Sequence, residues 1–431
     1  MSKEENRKNF SKYVSQNILG MIGFSCYVLA DSYFISIAKG ADGLTALNLV
    51  MPLYSIIFSI GEMIGVGSAI RYAISKIKKD ADADDYFWNA LIWCIMSSMI
   101  FVFAGIFFSA DIMRVLGADE HIVAVGNNYT KIFMCFAPMF MCNYVTNAFV
   151  RNDGAPGIAM SATLFSSLFN IVFDYILMFP MNLGMEGAAL ATALSPIIGM
   201  GICSIHFFSK KSSVRLVVCK PSVRKLVAGC QLGISAFVGE MSSAVITLVF
   251  NFVILKLAGN VGVAAYGVVA NIAIVTTAVF NGIAQGSQPL ISSCFGKGDK
   301  DGCTQLKRMG YTTAFVLAAV MYSILFIFAG QFVAVFNSEG SEMLRLYATE
   351  GVKLYFIGIF FAGINIVGGG AFSATEDAFK AAVVSVARGF VLILGAVFVM
   401  SAFFGMTGVW LAYAVAEGIT TFIMLVMAMR V

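Results

Sequence analysis

A chain of 431 residues that is 59% hydrophobic and only 12% charged falls outside the soluble range of roughly half apolar and about a quarter charged residues. It belongs in a bilayer, which excludes a soluble enzyme with a peripheral anchor. The net charge of +4 is small and dispersed between apolar stretches, so no nucleic-acid partner is expected. The stretch from Leu91 to Ala110 is apolar all round instead of alternating every second residue, so the spans read as helices and not barrel strands.

Apolar windows long enough to cross a bilayer predict twelve helices, near 13–37, 44–73, 88–110, 125–149, 157–180, 186–209, 226–256, 262–295, 311–336, 347–372, 378–401 and 404–430. The first carries Asp31 and no small-residue cleavage site, so it is retained and is not a signal peptide. With the amino terminus inside, 22 of the 28 basic residues, from Lys3 to Arg430, fall on the cytoplasmic side. Only Lys39, Arg114, Lys131, Lys256, Arg345 and Lys353 fall on the other. The positive-inside rule then puts both termini of a multi-pass protein of the inner (cytoplasmic) cell membrane in the cytoplasm. Seven of the nine cysteines lie inside apolar spans with no CxxC pair, and read as small buried hydrophobes. Two histidines, His121 and His206, cannot make a multi-histidine metal site.

Splitting the chain at the basic segment exposes an internal repeat. Gly43–Lys78 aligns on Gly262–Lys297 at a constant offset, placing Gly67-Ser68 on Gly286-Ser287. The run from Gly184 aligns on the run from Gly405 with seven identities in 16 positions. Two matches in the same order predict an all-α integral membrane protein of two pseudo-symmetric six-helix bundles, an architecture of secondary transporters with a pathway between the halves. Residues 1–210 read as an N-lobe carrying a cation site, 211–225 as a basic cytoplasmic linker and hinge, and 226–431 as a C-lobe.

Few carboxylates remain inside the spans: Asp31, Glu62, Asp174, Glu240 and Glu417. Each costs several kcal/mol unless it is paired, ion-bound, neutralised or in water, so function is the default expectation. For Glu417 a packing role is favoured. Asn170 and Asp174 are four apart and share a helix face. Thr192 follows the short loop at Gly184, offering a hydroxyl and a carbonyl to the same neighbourhood. With Asp31 these residues make a hard, all-oxygen set suited to Na⁺ or to an exchangeable proton. Asp174 has Gly395 as its counterpart in the second half, and Thr192 has Tyr413, so the site belongs to the first half alone.

The run Leu29-Ala-Asp-Ser-Tyr-Phe-Ile, the loop Arg151-Asn-Asp-Gly-Ala-Pro156, Asn170-Ile-Val-Phe-Asp174-Tyr175 and Gly184-Met-Glu-Gly-Ala-Ala-Leu-Ala-Thr192 together resemble the multidrug and toxic compound extrusion (MATE) family. The resemblance spans essentially the whole chain. It implies a V-shaped pair of six-helix bundles, acting as a monomer, that exports bulky and often cationic organic compounds in exchange for H⁺ or Na⁺ by alternating access. It also implies a cation site at the residues matching Asp31, Asn170, Asp174 and Thr192. Glu240 matches a carboxylate linked in some members to substrate or ion coupling, with a structural role as its alternative. Family members usually carry prolines where this chain has Gln16 and Ser235. No cofactor beyond the coupling ion is implied. The 39 Phe and 24 Met suit an adaptable cavity, although lipid-facing and interhelical packing accounts for most of them.

Rival readings fare worse. A flippase for lipid-linked saccharides of the same superfamily would place basic residues in the cavity to hold a pyrophosphate, and here only Arg388 is within reach of a span interior. An intramembrane enzyme would need HExxH or GxSxG, and neither occurs; Gly233-Ile-Ser-Ala236 lacks the closing glycine. A primary pump would need a full Walker A pattern, which Gly296-Lys297-Gly298 does not complete. A channel would need rings of like residues, and the two halves differ at their polar positions.

Overall fold

The computed structural model describes residues 3–336 and 341–429, which are helical apart from short turns and an extended stretch at 212–222 and contain no strand; Arg430 lies outside them. In the first half, helix α1 (Lys3–Gly40) and helix α2 (Asp42–Lys78) meet at Gly40, and α3 spans Asp85–Val115. Helix α4 is a pair, Glu120–Cys135 and Ala137–Asn152, bent by 46°. Helices α5 (Pro156–Met178) and α6 (Gly184–Phe207) complete the half. In the second half, Val223–Gly296 breaks at Gly259 into α7 (223–258) and α8 (260–296). Then come α9 (Lys300–Ile327) and α10 (Glu342–Ala374), and Ala378–Ala428 breaks at Gly405 to give α11 (378–404) and α12 (from 406). By length and apolarity, nine helices among the described residues qualify as spans, or ten with the bent pair. The breaks at Gly259 and Gly405 divide two of these, so each of the twelve expected spans has a helical counterpart.

The repeat is visible in the turns. Gly40 (φ 60) and Gly259 (φ 63) stand 219 residues apart, as do Lys79 (φ 60) and Gly298 (φ 73); Gly184 (φ 52) pairs with Gly405 (φ 56), and Gly154 (φ 87) with Glu376 (φ 59). A Cβ at Gly40, Gly259 or Gly405 would meet nothing within 4 Å, so glycine stands at these apices for its left-handed backbone and not for packing. Each half buries its own core. Ile57, Tyr129, Phe133 and Phe149 centre the first, and Phe250, Phe280, Phe356 and Trp410 the second. Helix α3 turns Ile100, Phe103 and Phe107 outward, as expected of a lipid-facing surface.

The halves join through backbone. A Cβ on Gly67 of α2 would lie 2.0 Å from the Gly229 carbonyl of α7, and one on Gly233 of α7 would lie 2.0 Å from the Met63 carbonyl. Across the pseudo-twofold, Gly286 of α8 presses on Tyr13 and Val14 of α1, and Gly282 on Ile18. Small residues at such crossings let membrane helices approach to backbone distance. Polar contacts between the halves gather at the same end, the one carrying Lys3, Lys78, Lys225 and Lys297. Asn6 Nδ2 donates to Gln305 Oε1 at 3.2 Å, and Arg71 Nε to the Ala228 carbonyl at 3.2 Å. Glu376 receives both Arg71 and, at 3.4 Å, Lys78.

The segment between the halves is extended and fastened to the first. Asp153 accepts from His206 (2.8 Å), Ser212 Oγ (3.1 Å) and the Ser213 N–H (2.9 Å). Trp88 Nε1 donates to the Cys219 carbonyl at 2.9 Å, and the Ser222 N–H to Asn89 Oδ1 at 2.6 Å. Lys225 reaches Asp85 and, at 2.9 Å, Asp82; its ammonium holds the Asp82 carboxyl below the usual carboxylate range.

Candidate cation site and central cavity

Three helices of the first half bring the four expected ligands into one neighbourhood. Helix α5 presents Asn170 and Asp174 one turn apart, α6 presents Thr192 and α1 presents Asp31; all four side chains are buried. Asn170 Nδ2 donates to Thr192 Oγ1 at 3.2 Å, which leaves its amide oxygen free. That oxygen, both carboxylate oxygens of Asp174 and Oδ1 of Asp31 have no hydrogen-bond partner. Asp31 and Asp174 lie within range of each other's charge. Buried oxygen atoms normally find a donor. Several orphaned acceptors and two carboxylates in one buried place suit a cation or protons, and the set contains no soft ligand.

Glu240 does not join this group. It lies on α7 and lines a cavity of about 110 Å³ between the halves, with Glu62, Arg151 and Gln285. Tyr27 of α1 stands between the two places, within range of Asp31, Asp174 and Glu240. The loop placement of Arg151 needs correcting. The side chain is buried at 4% exposure, and its Nη1 donates to Gln285 Oε1 at 2.7 Å; Gln285 Nε2 in turn donates to Glu62 Oε1 at 3.2 Å. Gln285 of the second half therefore bridges two charged residues of the first. Sequence reasoning listed Glu62 without a role and missed both Arg151 and Gln285. The available signal was the stripe Asn143, Asn147, Arg151, at four-residue spacing on one face of α4; all three line the cavity.

Arg388 is thus not the only cation in a span interior, and it has a different task. Its guanidinium meets Glu417 at 2.7 Å, Asn365 Nδ2 donates to Glu417 Oε2 at 2.7 Å, and Thr421 donates to Asn365 Oδ1 at 3.0 Å. The group is closed and satisfied, in keeping with a packing role for Glu417. Removing one partner of such a pair strands the other, at a cost of about 3–5 kcal/mol. Glu417→Ala is therefore expected to lower the thermal midpoint of the purified protein in detergent clearly, whereas Arg388→Met with Glu417→Leu recovers much of the loss. Cys26, expected among the buried thiols, is exposed.

The MatE family model matches residues 17–176 and 236–399, one block in each half. The chain belongs to the MatE family. Both carboxylates of the candidate site and Asn170 lie in the first matched block and Glu240 in the second, while Thr192 falls between the two. The chain is 28% identical over 414 residues to the multidrug export protein MepA of Staphylococcus aureus, covering 93% of this chain and 89% of that one. Among solved structures it resembles an outward-facing multidrug resistance MATE transporter of the MOP superfamily (TM-score 0.89, 21% identity, 99% of this chain and 96% of that chain). It also resembles a MOP superfamily transporter from Pyrococcus furiosus, described as having a binding pocket of reversed polarity (TM-score 0.91, 20% identity, with the same coverage). At these identities the structural likeness establishes the fold alone, and membership of the MatE family makes the chain a multi-pass membrane transporter.

Proposed function

We infer that this MatE protein exports bulky organic compounds, cationic ones among them, across the cell membrane in exchange for H⁺ or Na⁺, with both termini in the cytoplasm. Residues 1–210 and 226–431 act as two lobes joined by the 211–225 linker and alternate between inward and outward access. Asp31, Asn170, Asp174 and Thr192 hold the coupling cation. The observation that carries this reading is the set of buried oxygens without a donor on Asp31, Asn170 and Asp174. A cation arriving there neutralises charge that nothing in the protein neutralises, which gives the occupied and empty states different energies and so a reason to change conformation. One charge crossing 100 mV supplies about 2.3 kcal/mol, a useful driving force per cycle.

Contacts gathered at the basic end support a conformation closed toward the cytoplasm, the state in which the first lobe takes its cation from outside. The central cavity supports an organic cation over a lipid pyrophosphate, because its single guanidinium is outnumbered by Glu62 and Glu240. The test is substrate efflux from proteoliposomes under an imposed Na⁺ gradient alone and then a pH gradient alone. One of the two is expected to drive accumulation against a concentration gradient. Equal fluxes with and without either gradient would show that the protein is not ion-coupled.

A further inference from the structure

The candidate cation site lies on a seam that runs on past it in both directions. On α1 the face carrying Asp31 continues outward through Ile35 to Lys39. On α5 the face of Asn170 and Asp174 continues to Met178, and on α6 the face of Thr192 runs back through Ala188 to Gly184. The lines on α1 and α6 end eight residues from Asp31 and Thr192, about 12 Å along a helix, and the α5 line ends one turn beyond Asp174. Lys39, Met178 and Gly184 then line one concavity, of about 370 Å³, with Asn182 and Leu183. The helices touch there: a Cβ on Gly184 would lie 3.1 Å from Lys39 Cε. Toward the other end, one turn below the site, Tyr27, Ser166 and Pro196 line the central cavity. Ile35 and Ala188, both buried and apolar, lie one turn from the site on this side, as does Met178, which is buried and lines the concavity itself.

We propose that the coupling cation reaches Asp31 and Asp174 from the outer face along this α1/α5/α6 seam, through a vestibule whose mouth carries Lys39, and not by way of the central cavity. The inference rests on the cation-site reading above. Lys39 is exposed and its ammonium repels an entering cation, so it sets how readily the site fills. Ile35 and Met178 close the seam one turn above the carboxylates. Separate routes for ion and organic substrate let the two be exchanged without sharing one opening.

The test uses right-side-out membrane vesicles holding the full-length protein and a water-soluble carbodiimide that carries a tertiary ammonium, added outside. Modification of Asp31 and Asp174 is read by peptide mass spectrometry at several pH values and Na⁺ concentrations. Lys39→Gln is expected to speed modification by roughly threefold to tenfold, Lys39→Glu by more, and Lys39→Arg not at all. Added salt should shrink the differences. Met178→Trp, which fills the vestibule, should slow the reaction several-fold. Lys131→Glu alters charge elsewhere on the first half and should leave the rate unchanged. Equal rates across the Lys39 series, with the parent responding normally to Na⁺ or pH, overturn the route and assign entry to the central cavity. A parent whose modification responds to neither Na⁺ nor pH overturns the cation site itself.

Discussion

Asp174→Asn is expected to abolish ion-driven efflux while leaving the protein as stable as its parent, or more so. The two readouts move apart because of what Asp174 lacks. Neither of its carboxylate oxygens accepts a hydrogen bond, although the residue is fully buried. Exchange for the isosteric amide therefore breaks no internal bond and removes a charge whose burial is costly. A residue serving only to hold helices together would show the reverse, with activity following lost stability. Efflux driven by an imposed gradient should fall to the level of protein-free vesicles, and the thermal midpoint in detergent should hold or rise. Retained coupling in the variant sinks the site. Asp31→Asn should behave alike, because the proposed site takes both carboxylates.

The second large effect is steric. Gly233→Val places side-chain atoms where the Met63 carbonyl already stands, 2.0 Å from the position of the first new carbon. Backbone cannot move aside as a flexible side chain does, so α2 and α7 must separate at the basic end. Overpacking of this kind costs about 1–3 kcal/mol, enough to shift a two-state equilibrium by up to about a hundredfold. A cysteine pair replacing Asn6 and Gln305, which hydrogen-bond across the halves at 3.2 Å, should cross-link in the parent and fail to do so with Gly233→Val. Transport should be lost with it. Gly267→Ala, where a Cβ meets nothing within 4 Å, is the control. Undiminished cross-linking in the valine variant shows that this crossing does not hold the closed state.

Much of this was legible in the chain. Apolar length located the spans, and the scarcity of carboxylates inside them singled out Asp31 and Asp174. Four-residue spacing on α5 tied Asn170 to Asp174. The connections at Gly40/Gly259 and Gly184/Gly405 stand at or beside the ends of the two aligned segments, so the structure places equivalent turns where the repeat begins. Arg151 was illegible for a physical reason. Its burial depends on Gln285, which arrives from the other half 134 residues later, and no local pattern reports a tertiary partner. The nearby Gly154, at φ 87, made the segment read as loop although α4 runs to Asn152. The separation of Glu240 from the Asp31 group was equally invisible, since helix periodicity assigns faces within one helix and not distances between halves.

The stretch from Ser212 to Lys225 carries a mechanical consequence. A tether held at Asp153, Trp88, Asn89 and Asp82 has little slack to pay out, and α7 begins pinned beside α3. Any rearrangement that spares those bonds keeps one corner of the molecule stationary. The far ends of the helices then sweep through the widest arc, as the blades of shears do about their rivet, while the corner at Lys225 hardly travels.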